Sequence, residues 1–156
     1  MNFLRRLLFL LLFGGAVFWL DLWTKVWALE NLAAGSRTVW THVFGGVDVF
    51  MTLATNTGTA WGLFASYPGL LTMARVIIGL FLIGYYFLAR QLTAASGLGI
   101  ILILGGACGN LWDVRLRGAV VDFIDIHLWG WHYPIFNVAD CAIVLGALMF
   151  LFSKKR

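Results

Sequence analysis

Pairs of polar residues three positions apart recur in apolar stretches of this sequence. They are Asn110 with Asp113, Asp122 with Asp125, and Asn137 with Asp140. On a helix, this spacing places both side chains on one face. Asp122 is flanked by Val121 and Phe123, so its carboxylate is poorly solvated and its pKa rises. Two carboxyl groups brought close in such surroundings cannot both ionise, so one serves as an acid and the other as a base.

The composition predicts that lipid surrounds most of the elements that carry these pairs. Of the 156 residues, 62% are hydrophobic and 12% are charged, whereas a typical soluble domain is about 45–50% apolar and about 25% charged. This composition excludes a disordered chain, a collagen-like repeat and a nucleic-acid-binding domain. We expect one integral membrane domain over residues 1–156, of the all-α class. Its four predicted transmembrane helices cover about 7–29, 68–88, 93–112 and 134–152.

The long connection between the first two predicted spans, 30–67, has the composition of β-structure. Its segments 38–44 and 47–53 are rich in β-branched and aromatic residues, and Gly45 and Gly46 separate them. This pattern predicts a β-hairpin.

The charged residues divide unequally between the two sides of the predicted membrane domain. Four spans put both termini on one side, together with six basic residues and no acid. Those six are Arg5, Arg6, Arg90, Lys154, Lys155 and Arg156. Short basic segments face the cytoplasm, so both termini are predicted to be cytoplasmic and the acidic side extracytoplasmic.

Ionisable side chains within the predicted spans lie at one depth. Asp21, Arg75 and Asp140 each lie about 21–23 Å from the basic residue at the cytoplasmic end of their own span. In a hydrocarbon core about 30 Å thick, that is the outer third. Ionisable groups inside a membrane are costly and indicate a functional site by default, although Arg75 could also extend to the interface as a snorkelling side chain.

Five short segments follow one another in an order and spacing typical of a known family. They are Asp21–Lys25, Asn56–Trp61, Gly105–Asp113, Val120–Phe123 and Phe136–Asp140. Together they resemble the lipoprotein signal peptidases (signal peptidase II), and the resemblance covers nearly the whole chain. It implies four transmembrane helices with a small extracytoplasmic β-cradle and a short interfacial helix.

The resemblance also implies an activity, that of an intramembrane aspartic endopeptidase of the bacterial cytoplasmic (inner) membrane. The family cleaves the signal peptide from prolipoproteins just before a cysteine that carries diacylglycerol. Its catalytic pair falls on Asp122 and Asp140, of which one takes a proton from water and the other donates one. The implied partners are diacylglyceryl-modified prolipoproteins and membrane lipid, with no nucleic acid, cofactor or metal. We expect a monomer.

Eight further residues are expected to bind substrate or to support the site. They are Asp21, Lys25, Asn56, Gly58, Asn110, Asp113, Arg115 and Asn137. Amides both donate and accept hydrogen bonds, so Asn56 and Asn137 are expected to orient the substrate or the aspartates. Asp21 and Lys25 are four residues apart on a predicted helix, so a structural ion pair is an equal alternative to a substrate role.

The sequence departs from the family at the arginine that ordinarily follows the Asn-x-x-Asp motif. Val114 stands there, and Arg115 lies one place further on. On a regular helix, Asp113 and Arg115 point about 200° apart. A site role for Arg115 therefore requires the chain to leave helical geometry after Asp113, and Arg115→Gln should then cost more activity than Arg117→Gln. Alternatively, both arginines are interface anchors that extend toward the headgroups.

Two other classes of function are weighed against a hydrolase. Intramembrane Asp, Arg and Asn residues also line proton- and ion-coupled transport pathways, but here the polar groups stop in the outer third. A purely structural subunit leaves Asp140 unexplained. His, Cys, Asp and Glu residues do not occur with the spacing of zinc ligands, so no metal is expected. Cys108 and Cys141 stand alone in apolar stretches, which is typical of inert thiols.

The membrane side of the C-terminus tests the charge argument. A reporter that is active only in the cytoplasm should be active when fused after Arg156, because six basic residues and no acid lie on that side. The same reporter inserted between Gly45 and Gly46 is the matched control and should be silent. Activity of a periplasm-specific reporter after Arg156 would contradict the predicted orientation.

Overall fold

Four helices and a small antiparallel sheet make up the part of the chain that the structure describes. The structure is a computed structural model and describes residues 2–34, 37–43, 45–57 and 66–153. The helices are α1 (Phe3–Asn31), α2 (Pro68–Leu88), α3 (Ala94–Arg117) and α4 (Val138–Leu151). The strands are β1 (Arg37–Val43), β2 (Val47–Asn56), β3 (Val120–Leu128) and β4 (Trp131–His132).

Three of the helices are long and apolar enough to cross a membrane. They are α1 with 29 residues, α2 with 21 and α3 with 24. Helix α4 has 14 residues, which give about 21 Å at the rise of an α-helix and fall short of a typical span. The first three predicted spans therefore have matching helices, and the fourth span stays a prediction. The short interfacial helix that the resemblance implies is not among the described residues.

The start of α4 explains why this helix is shorter than the predicted span. Asn137 accepts a hydrogen bond from the backbone N of Asp140 at 3.0 Å, and the Asp140 carboxylate accepts one from the backbone N of Asn137 at 3.3 Å. This reciprocal pair is a capping box. Pro134 was predicted to lie inside a helix, but it precedes this cap and lies in the irregular connection from β4.

Small residues allow α3 and α4 to pack with their backbones close together. A Cβ atom added to Gly146 would lie 2.5 Å from the carbonyl oxygen of Gly99. A Cβ atom added to Gly106 would lie 2.5 Å from the carbonyl oxygen of Ala139. Close contact through small residues is typical of helices in membranes. The Gly106–Ala139 contact lies one turn from Asn110 and one residue from Asp140, so it sets the distance between two polar side chains of the predicted site.

The other end of the bundle, where the predicted cytoplasmic charges lie, is joined by two contacts. The ring of Tyr85 on α2 packs edge-to-face with that of Phe150 on α4, with centroids 5.9 Å apart. The guanidinium of Arg6 donates to the carbonyl oxygens of Tyr86, of Phe87 at 3.0 Å and of Ala89 at 2.8 Å. These carbonyls end α2 and have no partner within the helix. Arg6 is therefore a buried cap that ties α1 to α2.

The sheet has the order β1-β2-β3-β4, with every neighbouring pair antiparallel. Strands β1 and β2 form the hairpin predicted from the sequence, and Gly45 and Gly46 have the positive φ angles of 91° and 82° that its turn requires. Strand β3 follows α3 directly, after Gly118 ends that helix with φ 75°. A bulge in β2 separates the Met51–Ile124 pair from the Ala54–Asp122 pair.

Candidate active site

The side chains of Asp122 and Asp140 lie on the wall of one cavity. Its volume is about 270 Å³, and it lies where the end of β3 nearest α3 meets α2 and α4. Asp122 is 3% exposed, whereas Asp140 is half-buried at the cavity surface. The wall consists of Asn56, Arg75, Asn110, Val120, Asp122, Tyr133, Pro134, Ile135, Phe136, Asp140, Ile143 and Val144.

Backbone hydrogen bonds hold the strand of Asp122 against the chain that leads into α4. The carbonyl oxygen of Phe136 accepts from the backbone N of Phe123 at 3.1 Å and of Ile124 at 2.8 Å. The backbone N of Phe136 donates in return to the carbonyl oxygen of Ile124 at 3.0 Å. The position of Asp122 is thus coupled to that of Asp140, which lies only four residues after Phe136.

Two buried amides connect the two aspartates. Nδ2 of Asn137 lies 2.7 Å from Oδ1 of Asp122, 3.1 Å from Oδ1 of Asn110 and 3.2 Å from the carbonyl oxygen of Val121. Nδ2 of Asn110 in turn donates to Oδ1 of Asp140 at 2.9 Å. Each aspartate therefore has one oxygen occupied by an amide N–H, which fixes the orientation of both carboxyl groups.

The surroundings of Asp122 change its acidity. Burial, and after it the negative charge of Asp140, raise the pKa of Asp122 from its ordinary value of 3.8 to about 7. Hydrogen bonds from Asn56 and Asn137 and the charge of Lys25 act in the opposite direction. Near neutral pH, the carboxyl group of Asp122 is therefore partly protonated.

A fully buried ion cluster lies behind the aspartates. Nζ of Lys25 is 2.7 Å from Oδ2 of Asp21 and 3.0 Å from Oδ2 of Asp113, and it donates to Oδ1 of Asn110 at 2.8 Å. Lys25, Asp21 and Asp113 are each 0% exposed. These contacts support the structural ion pair over a substrate role for Asp21 and Lys25, because a side chain with no exposed surface cannot touch a substrate.

The two carboxylates of this cluster also bind the backbone beside each aspartate of the pair. Oδ1 of Asp21 accepts from the backbone N of Ala139 at 2.9 Å. Oδ2 of Asp113 accepts from the backbone N of Val121 at 3.2 Å. Ala139 precedes Asp140 and Val121 precedes Asp122 in the chain, so the ion cluster positions both.

The structure corrects the expectation for Arg115. Helix α3 continues to Arg117, so the chain does not leave helical geometry after Asp113 as a site role for Arg115 requires. Arg115 is exposed, and Arg117, one helical turn beyond Asp113, forms the ion pair with Oδ1 of Asp113. The physical reason is helical geometry, which places residues four apart on one face and residues two apart on opposite sides.

Asp122 and Asp125, which share a spacing of three in the sequence, do not share a face in the structure. The two residues lie on β3, and residues three apart on a strand point to opposite faces. Asp125 is 2% exposed and accepts hydrogen bonds from Oγ1 of Thr52 at 3.0 Å and from Nε2 of His127 at 2.9 Å. A residue spacing that suits a helix was thus misleading here, because the segment is a strand.

Two of the predicted supporting residues remain to be placed, Asn56 and Gly58. Asn56 lies on the cavity wall and hydrogen-bonds Asp122, whereas Gly58 lies outside the described residues. Arg75, which was interpreted either as part of the polar layer or as a side chain that extends to the interface, lies on the cavity wall. Tyr133 lies there too and was not among the predicted site residues. Across the described ranges, groups of three or more His, Cys, Asp or Glu that could hold a metal are absent.

Comparisons with known proteins agree with the motifs that surround this cavity. The family model described as signal peptidase (SPase) II matches residues 11–154. The chain belongs to the signal peptidase II family. A lipoprotein signal peptidase of Wigglesworthia glossinidia brevipalpis is 35% identical over 146 residues, which are 90% of this chain and 90% of that protein. One of Burkholderia vietnamiensis is 37% identical over 139 residues, which are 87% and 81%.

Two solved structures have the same fold as this signal peptidase II family member. Both are described as structures of a bacterial membrane enzyme. The first has a TM-score of 0.80 at 26% identity and covers 94% of this chain and 93% of its own. The second has a TM-score of 0.77 at 28% identity and covers 91% and 89%. The family resemblance inferred from the five sequence segments is thereby confirmed.

The two arginines at the end of α3 give a test of the corrected assignment. Arg117→Gln should lower both the thermal stability in detergent, by a few degrees, and the peptidase activity, because Asp113 loses a partner and holds Val121 less firmly. Arg115→Gln is the matched control and should leave both unchanged, since Arg115 lies two residues from Asp113 and points to the other side of the helix. Circular dichroism melts and initial cleavage rates measure the two effects. A larger loss with Arg115→Gln would contradict the assignment to Arg117.

Proposed function

We propose that this member of the signal peptidase II family is an intramembrane aspartic endopeptidase. Its substrates are prolipoproteins whose cysteine carries diacylglycerol, and it cuts just before that cysteine. The observation that carries the proposal is the pair Asp122 and Asp140 in one cavity, joined through Asn110 and Asn137. Family membership supports the wider activity, which is cleavage of lipoprotein signal peptides.

In the proposed mechanism, the two aspartates divide the roles of base and acid. Asp140 takes a proton from a water molecule, and the water oxygen attacks the carbonyl carbon of the scissile peptide bond. Asp122, whose pKa of about 7 lets it hold a proton near neutrality, donates that proton to the carbonyl oxygen. The bond to nitrogen then breaks, and the leaving amine takes the proton that Asp140 holds. One hydroxyl of the tetrahedral intermediate returns a proton to Asp122, which forms the new carboxyl group and restores both aspartates to their starting states. The cycle needs no metal and no organic cofactor.

The lining of the cavity suits a substrate that is partly peptide and partly lipid. Polar groups lie on the side of Asn56, Asp122 and Asp140, and the side chains of Ile143 and Val144 continue the wall along α4 away from them. We propose that the active site opens toward the extracytoplasmic side of the inner membrane, with both termini cytoplasmic. The protein is proposed to act as a monomer.

The proposed function is tested directly with purified protein in detergent. A diacylglyceryl-modified prolipoprotein should be cleaved to yield a peptide that ends before the modified cysteine, as mass spectrometry would show. The same prolipoprotein without the lipid is the matched substrate control and should stay intact. Equal cleavage of both forms would contradict the proposed substrate class.

Amide substitutions test the two catalytic roles. Asp122→Asn and Asp140→Asn should each remove nearly all turnover while the protein stays folded, because an amide is nearly isosteric but neither takes nor holds the required proton. Asp48→Asn in the hairpin removes an acid far from the cavity and should cleave normally. EDTA should have no effect. Near-normal turnover by either catalytic variant, or a loss with EDTA that zinc restores, would contradict the aspartic mechanism.

The raised pKa of Asp122 predicts two pH effects. Cleavage requires the protonated acid, so kcat/KM should fall tenfold per pH unit above pH about 7. Because the folded state holds this proton more tightly than the unfolded state, stability should also decrease between pH about 4 and about 7. Melting temperatures of wild type and Asp122→Asn over this range measure the second effect. An identical pH dependence in the variant would contradict the assignment to Asp122.

A further inference from the structure

We propose that Arg75 binds a carbonyl oxygen of the substrate inside the active-site cavity. This inference rests on the proposed function, since it concerns the substrate of the same site. Arg75 lies on the cavity wall together with Asp122 and Asp140. It is half-buried, and α2 carries no other charged residue between 68 and 88.

The depth of Arg75 in the bundle places it level with Asp140. The ring contact between Tyr85 and Phe150, with centroids 5.9 Å apart, marks a common level on α2 and α4. Arg75 lies ten residues from Tyr85, and Asp140 lies ten residues from Phe150, both toward the extracytoplasmic end. At the rise of an α-helix, each is about 15 Å from that level. Arg75 and Asp140 therefore line the cavity at about one height, from two different helices.

A substrate in this cavity meets an acid–base pair and a cation that come from different elements. Helix α4 and strand β3 supply Asp140 and Asp122, and α2 supplies Arg75. A guanidinium has five N–H donors and no acceptor, so it binds oxygen acceptors on whatever lies beside it in the cavity. Its hydrogen bonds strengthen where water is excluded, which favours a contact made inside the cavity.

The proposed substrate offers one kind of strong neutral acceptor, which is the carbonyl oxygen. Such oxygens occur in the peptide backbone beside the scissile bond and in the two esters of the diacylglyceryl group. The chemistry of the contact is the same in both cases, and Arg75 holds the reacting segment against the aspartates. A function of Arg75 as an interface anchor predicts no such contact, because the guanidinium would then bind headgroups.

Binding is measured in an Asp140→Asn background, so that no probe is cleaved. The probe is a lipopeptide that spans the cleavage site and carries a diacylglyceryl cysteine. Adding Arg75→Gln should raise its Kd about tenfold or more, as expected when a charged donor is lost. Arg75→Lys keeps the charge and should lose less. Arg90→Gln, which removes an exposed arginine near the other end of α2, is the matched control and should bind normally.

A second probe with two ether-linked alkyl chains identifies which carbonyl is bound. If the ester is the acceptor, Arg75→Gln weakens binding of the diester but leaves binding of the diether unchanged. If the peptide is the acceptor, both probes lose equally. Kd values within twofold of the parent for both probes would overturn the proposal.

The pH profile separates substrate binding from an effect on the aspartates. In the otherwise wild-type protein, Arg75→Gln should lower kcat/KM without moving the alkaline limb of the profile. A shifted limb would overturn the proposal, because Arg75 would then act on the acid–base pair. If the wild-type protein itself cleaves no lipidated substrate, the proposed function fails, whereas loss of the Arg75 effect alone leaves that function intact.

Discussion

The buried ammonium group of Lys25 is the interaction on which the rest of the site depends. A charge removed from water is tolerated only when partners satisfy it completely, and Lys25 meets that condition with two carboxylates and an amide oxygen. The carboxylates of Asp21 and Asp113 in turn accept the backbone N–H groups of Ala139 and Val121. One ion cluster thereby sets the position of both aspartates, although they lie on different elements.

Close helix packing is what lets this cluster form. A Cβ atom on Gly109 would overlap the carboxylate of Asp21, and one on Gly105 would lie 2.8 Å from the carbonyl oxygen of Gly14. Glycines on α3 therefore admit α1 on one side, as Gly106 admits α4 on the other. Hydrogen bonds and ion pairs formed at this depth face no competition from water, so the geometry of the amides and aspartates is held more firmly than it would be at an exposed surface.

Much of the fold and part of the site could be predicted from the sequence. Hydrophobic runs and charge placement predicted the helices and the polar layer. Two segments rich in β-branched and aromatic residues around a glycine pair predicted the first hairpin. Arg117 pairs with Asp113 because α3 continues as a helix to Arg117. The sequence did not predict this pair, since helix ends are poorly defined by local sequence. The faces of Asp122 and Asp125 could not be read from their spacing alone, because a strand and a helix give different faces to the same spacing. The contact between Lys25 and Asp113 joins distant segments, so only tertiary packing establishes it.

The chemical outcome of this arrangement is that Asp122 binds a proton near neutral pH, because burial and the charge of Asp140 raise its pKa to about 7. Infrared difference spectroscopy of the detergent-solubilised protein, titrated from acid to alkaline pH, detects that proton directly as the band of a protonated carboxyl group. One such band should disappear with a midpoint at pH about 7, and Asp122→Asn should abolish this transition. Two results would contradict the raised pKa of Asp122. One is a wild-type spectrum in which every carboxyl group ionises near 3.8, the ordinary value for an aspartate. The other is a band that is unchanged in the variant.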